Sequence, residues 1–458
     1  MTAARFFEAA EKDEYALRPC RAEHVGNRGG MTPSLGLLGK RRFLPLFVTQ
    51  FLGAFNDNLY KSAMVILVTY VIYKDPVQEA TFNAIAGGLF ILPFFLFSAL
   101  AGQLADGGDK ARIIRIVKTA EIVIMMVGAL GLMLHNIPLL LAVLFAMGVH
   151  SSFFGPIKYA ILPQHLKHDE VLGGTGLVEA GTYIAILLGT IAGGLLGADH
   201  PRYAAVDVLV VAGLGWFAGR QVPPAPPEAD APPGKMDWHI IRASITLVNA
   251  TLHIPRLFLA IVAISFFWMM GAILAAQFPP LVKNVLHADE QVATLFLAIF
   301  SVGVGLGSVL INRLLKGRVL AVYSPAASLA MGAFICHLYW NVRSWPAPGE
   351  ALMNLGTFVA MPRAEWILFD LFGVAVSGGM FVVPLYAFLT TTVPKSETAR
   401  TVAANNIVNS GFMVLAALIL TGLVQIGVSV EETLLMVAVS SVIAAYLAWR
   451  LHKACDGV

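Results

Sequence analysis

Charge is what this sequence has least of. Only 13% of its 458 residues are Asp, Glu, Lys or Arg, about half the share of a soluble globular domain. That scarcity excludes most soluble classes. It excludes disorder too, because disordered chains are polar or strongly charged. Cysteine is sparse as well. Cys20, Cys336 and Cys455 are far apart and odd in number, which implies no disulfide framework and no metal cluster. The strict apolar–polar alternation of a membrane barrel strand is missing. Catalytic signatures are missing too: there is no HExxH, no GxSxG in a triad context, no P-loop and no CxxC. None of the eleven histidines is followed five positions on by Asp, so the HxxxxD arrangement of acyl-transferring enzymes is absent. No segment outside the apolar runs is long enough for a catalytic domain, and no enzyme is expected.

What is present is apolar. Hydrophobic residues make up 57% of the chain, and the mean hydropathy is +0.74. Runs long enough to cross a bilayer as helices recur along the chain. Twelve are read, at about 43–73, 81–105, 113–134, 138–160, 171–198, 203–219, 256–283, 291–314, 319–341, 364–392, 400–426 and 432–450. The sixth is short. The expected fold is therefore an all-α membrane protein with twelve transmembrane helices in two six-helix halves. An even count puts both termini on one side. The loops and span ends of that side carry twenty Lys and Arg, from Lys40, Arg41 and Arg42 to Arg450 and Lys453, against five on the other: Lys74, Arg202, Lys283, Arg343 and Arg363. Basic residues accumulate on cytoplasmic loops, so both termini are expected in the cytoplasm.

The chain divides in the middle. Residues 221–237 contain six prolines and read as a semi-extended linker. Trp238, Ile241, Ile245, Val248 and Leu252 follow at helical spacing, opposite His239, Arg242, Thr246 and Asn249. That pattern predicts an amphipathic helix, either lying on the cytoplasmic membrane surface or serving as a connector packed on the bundle. The expected divisions are a tail over 1–40, a first half over 41–220, the linker over 221–255, a second half over 256–452 and a tail over 453–458. Residues 1–30 lack the apolar core of a signal peptide, and Met31 is a plausible translation start. Six spans on each side of a central linker is the organisation of transporters whose halves rock about a midplane site.

An ionisable side chain within a span is costly and marks a candidate functional site. In the first span Gln50, Gly53, Asp57 and Lys61 share one face, with Asn56 and Asn58 beside the acid. Asp57 and Lys61 are four apart, so they are expected to pair. Glu179 lies mid-span in the fifth helix near Thr175, Thr182 and Tyr183, without a basic residue in its own span. It needs a partner from another helix, a proton or an ion. Gly189, Gly193 and Gly197 permit close helix approach. In the eleventh span Asn405, Asn406 and Asn409 form an amide cluster, and Asn405 is also placed to cap a helix end. Glu121 and Asp370 lie nearer span ends, where solvent could reach them, and rank below the others as functional candidates. His150, His337 and Cys336 are expected to be packing residues.

Four runs carry a resemblance: Gln50-Phe-Leu-Gly-Ala-Phe-Asn-Asp-Asn58 followed by Lys61; Gly155-Pro-Ile-Lys-Tyr-Ala-Ile-Leu162; Gly176-Leu-Val-Glu-Ala180 running on to Gly194; and Gly378-Gly-Met-Phe-Val-Val-Pro-Leu385. Together they resemble the bacterial lysophospholipid transporter family of the major facilitator superfamily, over residues 34–452. The general superfamily signature between the second and third helices is present as Gly102-Gln-Leu-Ala-Asp106, followed by Lys110 and Arg112. It departs from the pattern at Gly107, where Arg is usual, and at Asp109, where Gly is usual. The cytoplasmic latch that the Arg would support is therefore in doubt, while Asp106 remains available to a helix N-terminus or a cation.

The resemblance implies the two-half facilitator bundle in a bacterial inner membrane. It implies movement of lysophospholipids, chiefly lysophosphatidylethanolamine, from the outer to the inner leaflet for re-acylation. Some relatives are fused to the acyltransferase; here it is expected to be a separate chain. Asp57 and Glu179 would attract the ethanolamine ammonium and Lys61 or Lys158 the phosphate, with Asn405 and Asn409 lining the opposing half. Phe-rich stretches such as Phe90 to Phe97 and Phe266-Phe-Trp268 suit an acyl chain. Neither a cofactor nor a nucleic-acid partner is implied. Export of a small amphipathic compound by the same fold is the other reading left open.

Overall fold

The computed structural model describes residues 34–72, 76–197, 201–227, 236–346 and 352–456. The expectations for residues 1–30 fall outside them. Nearly all of the described chain is helical, as a lipid solvent demands: with no water to satisfy peptide groups, each segment must bond its own backbone. Twelve helices of twenty or more residues occur among the described residues. They are α1 (Leu44–Ile66), α2 (Pro76–Gly107), α3 (Lys110–Leu134), α4 (Ile137–Ala160), α5 (His168–Gly197), α6 (Pro201–Arg220), α7 (Pro255–Pro280), α8 (Glu290–Leu315), α9 (Ser324–Arg343), α10 (Ala364–Thr392), α11 (Thr398–Gln425) and α12 (Val430–Asp456). They fall at the twelve expected places. Ten of them are long and apolar enough to cross a membrane; α1 and α9 fall short. α1 falls short because Gln50, Asn56, Asp57, Asn58 and Lys61 dilute its hydropathy. The short sixth run is among the ten.

Local chemistry sets the helix ends. Proline stands in the first turn of α1, α4, α7 and α9, where its missing N–H costs no helical bond. Side chains of Asp109, Asn136 and Asp289 accept from first-turn backbone N–H groups of α3, α4 and α8, replacing partners those groups lack. α1 and α7, the first helices of the two halves, each continue into a π-helical segment, Leu67–Ile72 and Leu281–Val285. The halves thus repeat a local feature as well as a helix count.

The halves meet through α2 with α11 and α5 with α8, and more narrowly where α4 and α5 touch α10 and α11. Glycines mark the closest approaches. A Cβ on Gly102 of α2 would come within 2.7 Å of Ala403 Cβ and 2.9 Å of Arg400 Cα on α11. A Cβ on Gly176 of α5 would strike the Ser308 carbonyl of α8. Both contacts lie toward the side that carries the linker and the described chain ends. The molecule is therefore closed on that side. Gly189 and Gly193 pack α5 against the backbone of α1 at Phe55 and Leu59.

The latch in doubt from the sequence is built around Asp106. This fully buried carboxylate accepts from the Ala399 and Arg400 backbone N–H groups at 3.0 and 3.1 Å. Its Oδ2 also lies 3.2 Å from Arg400 Nε. It caps the N-terminus of α11, where backbone N–H groups and the helix dipole favour an anion. Arg400 supplies the cation from the opposite half, so Gly107 leaves the contact intact. Asp109 accepts from Ala225 N at 3.0 Å, and Lys110 N donates to Ala225 O at 3.0 Å, pinning the start of the linker to α3. Lys110 is buried and Arg112 exposed.

The linker helix, Ile240–Leu252, packs on the bundle through its smaller residues. Its buried face is Ala243, Ser244, Leu247 and Thr251, and Ala243 and Leu247 pack with Ala99 of α2 and Ala403, Ala404 and Ile407 of α11. The larger apolar side chains Trp238 (73% exposed), Ile241 and Ile245 point away from the protein. Close approach to two helices selects small residues, which leaves the bulky stripe for the surroundings. Just before the helix, Asp237 takes two hydrogen bonds from Arg242, which hold its carboxyl down to about 2.

Membrane sidedness rests on the basic-residue asymmetry and is tested directly. In a background with Cys20, Cys336 and Cys455 replaced by Ser, an impermeant thiol reagent added to intact cells should label Ala360→Cys. It should leave Arg318→Cys unlabelled until the membrane is opened. The reverse pattern would invert the topology.

Candidate functional site

Two polar constellations lie within the bundle, and the first belongs to one half. Lys118 on α3, fully buried, meets Glu121 Oε2 at 2.5 Å. The Glu121 carboxylate also accepts from Asn56 Nδ2 at 3.1 Å, and His150 Nε2 of α4 lies 3.3 Å from it. Lys118 further rests over the Phe154 ring and against Gly53 and Gly215, glycines whose missing side chains leave room for its stem. Next to this group, Ser151 Oγ donates to Asp57 Oδ2 at 2.6 Å, and His150 Nδ1 lies 3.4 Å from the same Oγ.

Three expectations are corrected here. Asp57 and Lys61 do not pair: Asp57 turns to Ser151, while Lys61 Nζ lies 5.8 Å over the Phe90 ring of α2. Spacing of four permits a helical pair, but each side chain finds a partner on another helix. Glu121 is not solvated; it is buried and is the centre of the network. Nor are the histidines plain packing residues. His150 borders two carboxylates, and His337 Nδ1 lies 2.8 Å from Asp370 Oδ1. Asp370 is itself fully buried and accepts from Asn341 Nδ2 at 3.0 Å. Asn58 serves its own helix by donating to Ala54 O at 2.8 Å.

The second constellation joins the halves. Tyr159 of α4 stacks on Tyr386 of α10, with ring centroids 4.7 Å apart and planes within 10°. From the first half, Tyr159 donates its hydroxyl to Glu179 Oε1, and Lys158 Nζ lies 4.9 Å over the Tyr159 ring. From the second half, the Tyr386 hydroxyl accepts from Trp268 Nε1 at 2.7 Å and from Asn405 and Asn409 Nδ2 at 3.4 and 3.5 Å. Asn409 Oδ1 in turn accepts from Ser265 at 2.7 Å. Tyr183 stacks on Trp268 across the same junction. Glu179 and Asn405 are fully buried. Glu179 Oε2 and Asn405 Oδ1 have no hydrogen-bond partner among the described residues.

The structure thus brings Lys158, Glu179, Asn405 and Asn409 together and sets Asn56 and Asp57 in the neighbouring network. Lys61 and Asn58 stand apart, and Gly102 and Asp106 belong to the latch. Sequence reasoning missed Tyr159, Tyr386, Trp268, Ser151 and Lys118 as members. Tyr159 stands beside Lys158 in one of the family-like runs, but no spacing rule announces a stack between helices of different halves. Asp57 lies thirteen residues into α1, roughly 20 Å from its start at 1.5 Å per residue. Tyr159 and Tyr386 lie near the ends of α4 and α10, on the latched side. The tyrosine stack is therefore a floor beneath the half-buried Asp57 and Lys158.

A buried ion pair that loses one member leaves an uncompensated charge, a cost of about 3–5 kcal/mol. Lys118→Met should therefore lower the thermal stability of the purified protein sharply. Replacing both members, Lys118→Met with Glu121→Leu, should recover part of the loss. Equal melting of the single variant and the unmodified protein would show that Lys118 is not the counter-charge that Glu121 depends on.

Comparison with known proteins places this geometry. A family model described as Major Facilitator Superfamily matches residues 46–363. A lysophospholipid transporter, LplT, of Pectobacterium carotovorum is 28% identical over 87% of this chain and 90% of its own. The LplT of an Escherichia coli strain is 27% identical over 84% and 89%. Among solved structures, the human organic anion transporter MFSD10 superposes with a TM-score of 0.70 at 11% identity, covering 89% of this chain and 99% of that one. The transporter FucP in its outward conformation gives 0.67 at 11%, covering 89% and 98%. At such identities the structural likeness speaks for the fold alone, and it agrees with the sequence match: the chain is a multi-pass membrane protein belonging to the major facilitator superfamily of transporters.

Proposed function

We propose that this chain is a lysophospholipid transporter that moves its substrate, chiefly lysophosphatidylethanolamine, from the outer to the inner leaflet of a bacterial inner membrane. A separate acyltransferase then restores the second acyl chain. The observation that carries the reading is the match of 27–28% over 84–87% of the chain to transporters of that name. The geometry supplies a matching chemistry. A zwitterionic headgroup needs both signs of charge in a space otherwise hostile to charge, and Tyr159 joins the two here, with Lys158 over its ring and Glu179 accepting its hydroxyl. An ammonium would approach Asp57 and the unpartnered Oε2 of Glu179, while the phosphate would approach Lys158. Asn405 and Asn409 offer amides from the other half.

Alternating access follows from how the floor is built. Tyr159 and Tyr386 belong to different halves, so rocking the halves apart breaks their stack and parts Glu179 from the Trp268–Asn405–Asn409 side. The latch from Asp106 to α11 releases in the same motion. The acyl chain need not enter the polar interior, because it stays in lipid or against apolar helix faces.

The test is uptake of labelled lysophosphatidylethanolamine by cells with and without this chain, and with Glu179→Gln at matched membrane abundance. A charged hydrogen bond contributes about 1.5–3 kcal/mol, so the variant should lose roughly tenfold or more of its initial rate for this lipid. Lysophosphatidylglycerol, which has no amine, should lose less. Equal loss for both lipids would make Glu179 a conformational residue rather than an amine-binding one. Absence of chain-dependent uptake would remove the functional reading itself.

A further inference from the structure

Between the buried ion pair and Asp57 runs a string of exchangeable groups: Lys118, Glu121, His150, Ser151, Asp57. Successive separations are 2.5, 3.3, 3.4 and 2.6 Å. Three helices contribute, α1, α3 and α4, and the string runs from a buried interior end to a half-buried end at Asp57. Nothing in the headgroup chemistry above uses its inner members. We infer that this string is a proton site, in which one exchangeable proton is shared between His150 and Asp57, and that the substrate's amine competes with that proton for Asp57.

The charges around His150 lead there. α3 presents Lys118 and Glu121, which satisfy each other. α1 presents Asp57 and Asn56; Lys61 on that helix is turned to Phe90. α2 meets this part of α4 with Phe90 and Pro93 beside Gly148. α11 meets α4 lower down, where Asn406 faces Gly155. α10 meets it at the Tyr159–Tyr386 stack. Lys158, a little over two turns along α4, lies over the Tyr159 ring, whose hydroxyl donates to Glu179. His150 is therefore the group placed to balance Asp57. Ser151 Oγ donates to Asp57 Oδ2 at 2.6 Å, a contact that ionisation of the carboxylate strengthens. An ionised acid in a low-dielectric interior needs a neighbouring cation.

The step balances without any further reactant. Doubly protonated His150 passes the Nδ1 proton to Ser151 Oγ as Ser151 passes its own proton to Asp57 Oδ2. One N–H and one O–H bond break, and two O–H bonds form. A neutral imidazole, an unchanged serine and a neutral carboxylic acid remain. His150 Nε2 stays against Glu121, whose negative charge favours return of the proton. When an ammonium arrives at Asp57 it supplies the counter-charge instead, so the carboxyl must be ionised and its proton returns through Ser151 Oγ to His150 Nδ1. The competition rests on the proposed function; the proton site does not.

Infrared difference spectroscopy of the purified protein follows the carbonyl stretch of a protonated carboxyl as pH is stepped downward. A band should grow in the unmodified protein and be lost in Asp57→Asn. In His150→Gln the acid loses its counter-charge, so the band should appear at higher pH. Ser151→Ala should leave a titrating band but slow its response after a pH jump. At fixed pH, lysophosphatidylethanolamine should abolish the band and lysophosphatidylglycerol should not. Identical titrations of the unmodified protein and Asp57→Asn, or a band indifferent to His150→Gln, would overturn the proton site. A band unmoved by the amine lipid, in a protein that takes that lipid up, would overturn the competition. A titrating, His150-dependent band in a protein that takes up no lysolipid would leave the proton site standing and remove the substrate reading.

Discussion

A charge inside this bundle must find its partners within the protein. Lipid and packed side chains solvate no ion, so each buried carboxylate fixes where a neighbouring helix can sit. Glu121 ties α3 to α1 and α4 through Asn56 and His150. Asp106 ties α2 to the start of α11. Glu179 ties α5 to α4 through Tyr159. Asp370 ties α10 to α9. Helix packing in membranes lacks the hydrophobic drive of soluble cores and relies on close fit and polar contacts. Here glycines provide the fit and a few carboxylates the contacts.

These contacts divide into two kinds that suit a moving protein. Those of Glu121 and Asp370 lie within one half and survive any rocking of the halves as bodies. The Asp106 latch, the tyrosine stack and the glycine approaches at Gly102 and Gly176 cross between halves and must be remade. All of the second kind lie toward the side of the linker. The linker helix straddles the same α2–α11 seam with a face of small residues, joining the halves where they are already latched. A polar centre above a closed floor is the arrangement a transporter needs when its substrate is admitted from the opposite side.

Much of this was legible in the sequence. The places of the twelve long helices, the division at the proline-rich linker and the polar face of α1 follow from composition and spacing, which depend only on neighbours along the chain. Of the eight residues expected to meet substrate, Lys158, Glu179, Asn405 and Asn409 lie in the constellation that joins the halves, Asn56 and Asp57 lie in the neighbouring network, and Asn58 and Lys61 stand apart. What failed were pairings. Asp57 and Lys61 have the spacing of a helical pair yet turn to α4 and α2. Glu121 was judged by its place near a span end and His150 as a lone polar residue, and neither position reveals the network that joins them. The Tyr159–Tyr386 stack spans 227 positions of sequence, and nothing local marks either ring. The small residues by which the linker helix packs on the bundle carry no mark in the spacing pattern.

The most direct measurement is leaflet-specific movement of lysophosphatidylethanolamine in liposomes containing only the purified protein. Albumin extracts the lipid that remains outside and so reports how much has crossed. The account predicts that the protein speeds crossing over empty liposomes, and that Asp57→Asn and Lys158→Met each reduce that gain. Crossing no faster than in empty liposomes, by a protein that is folded and correctly inserted, would contradict it.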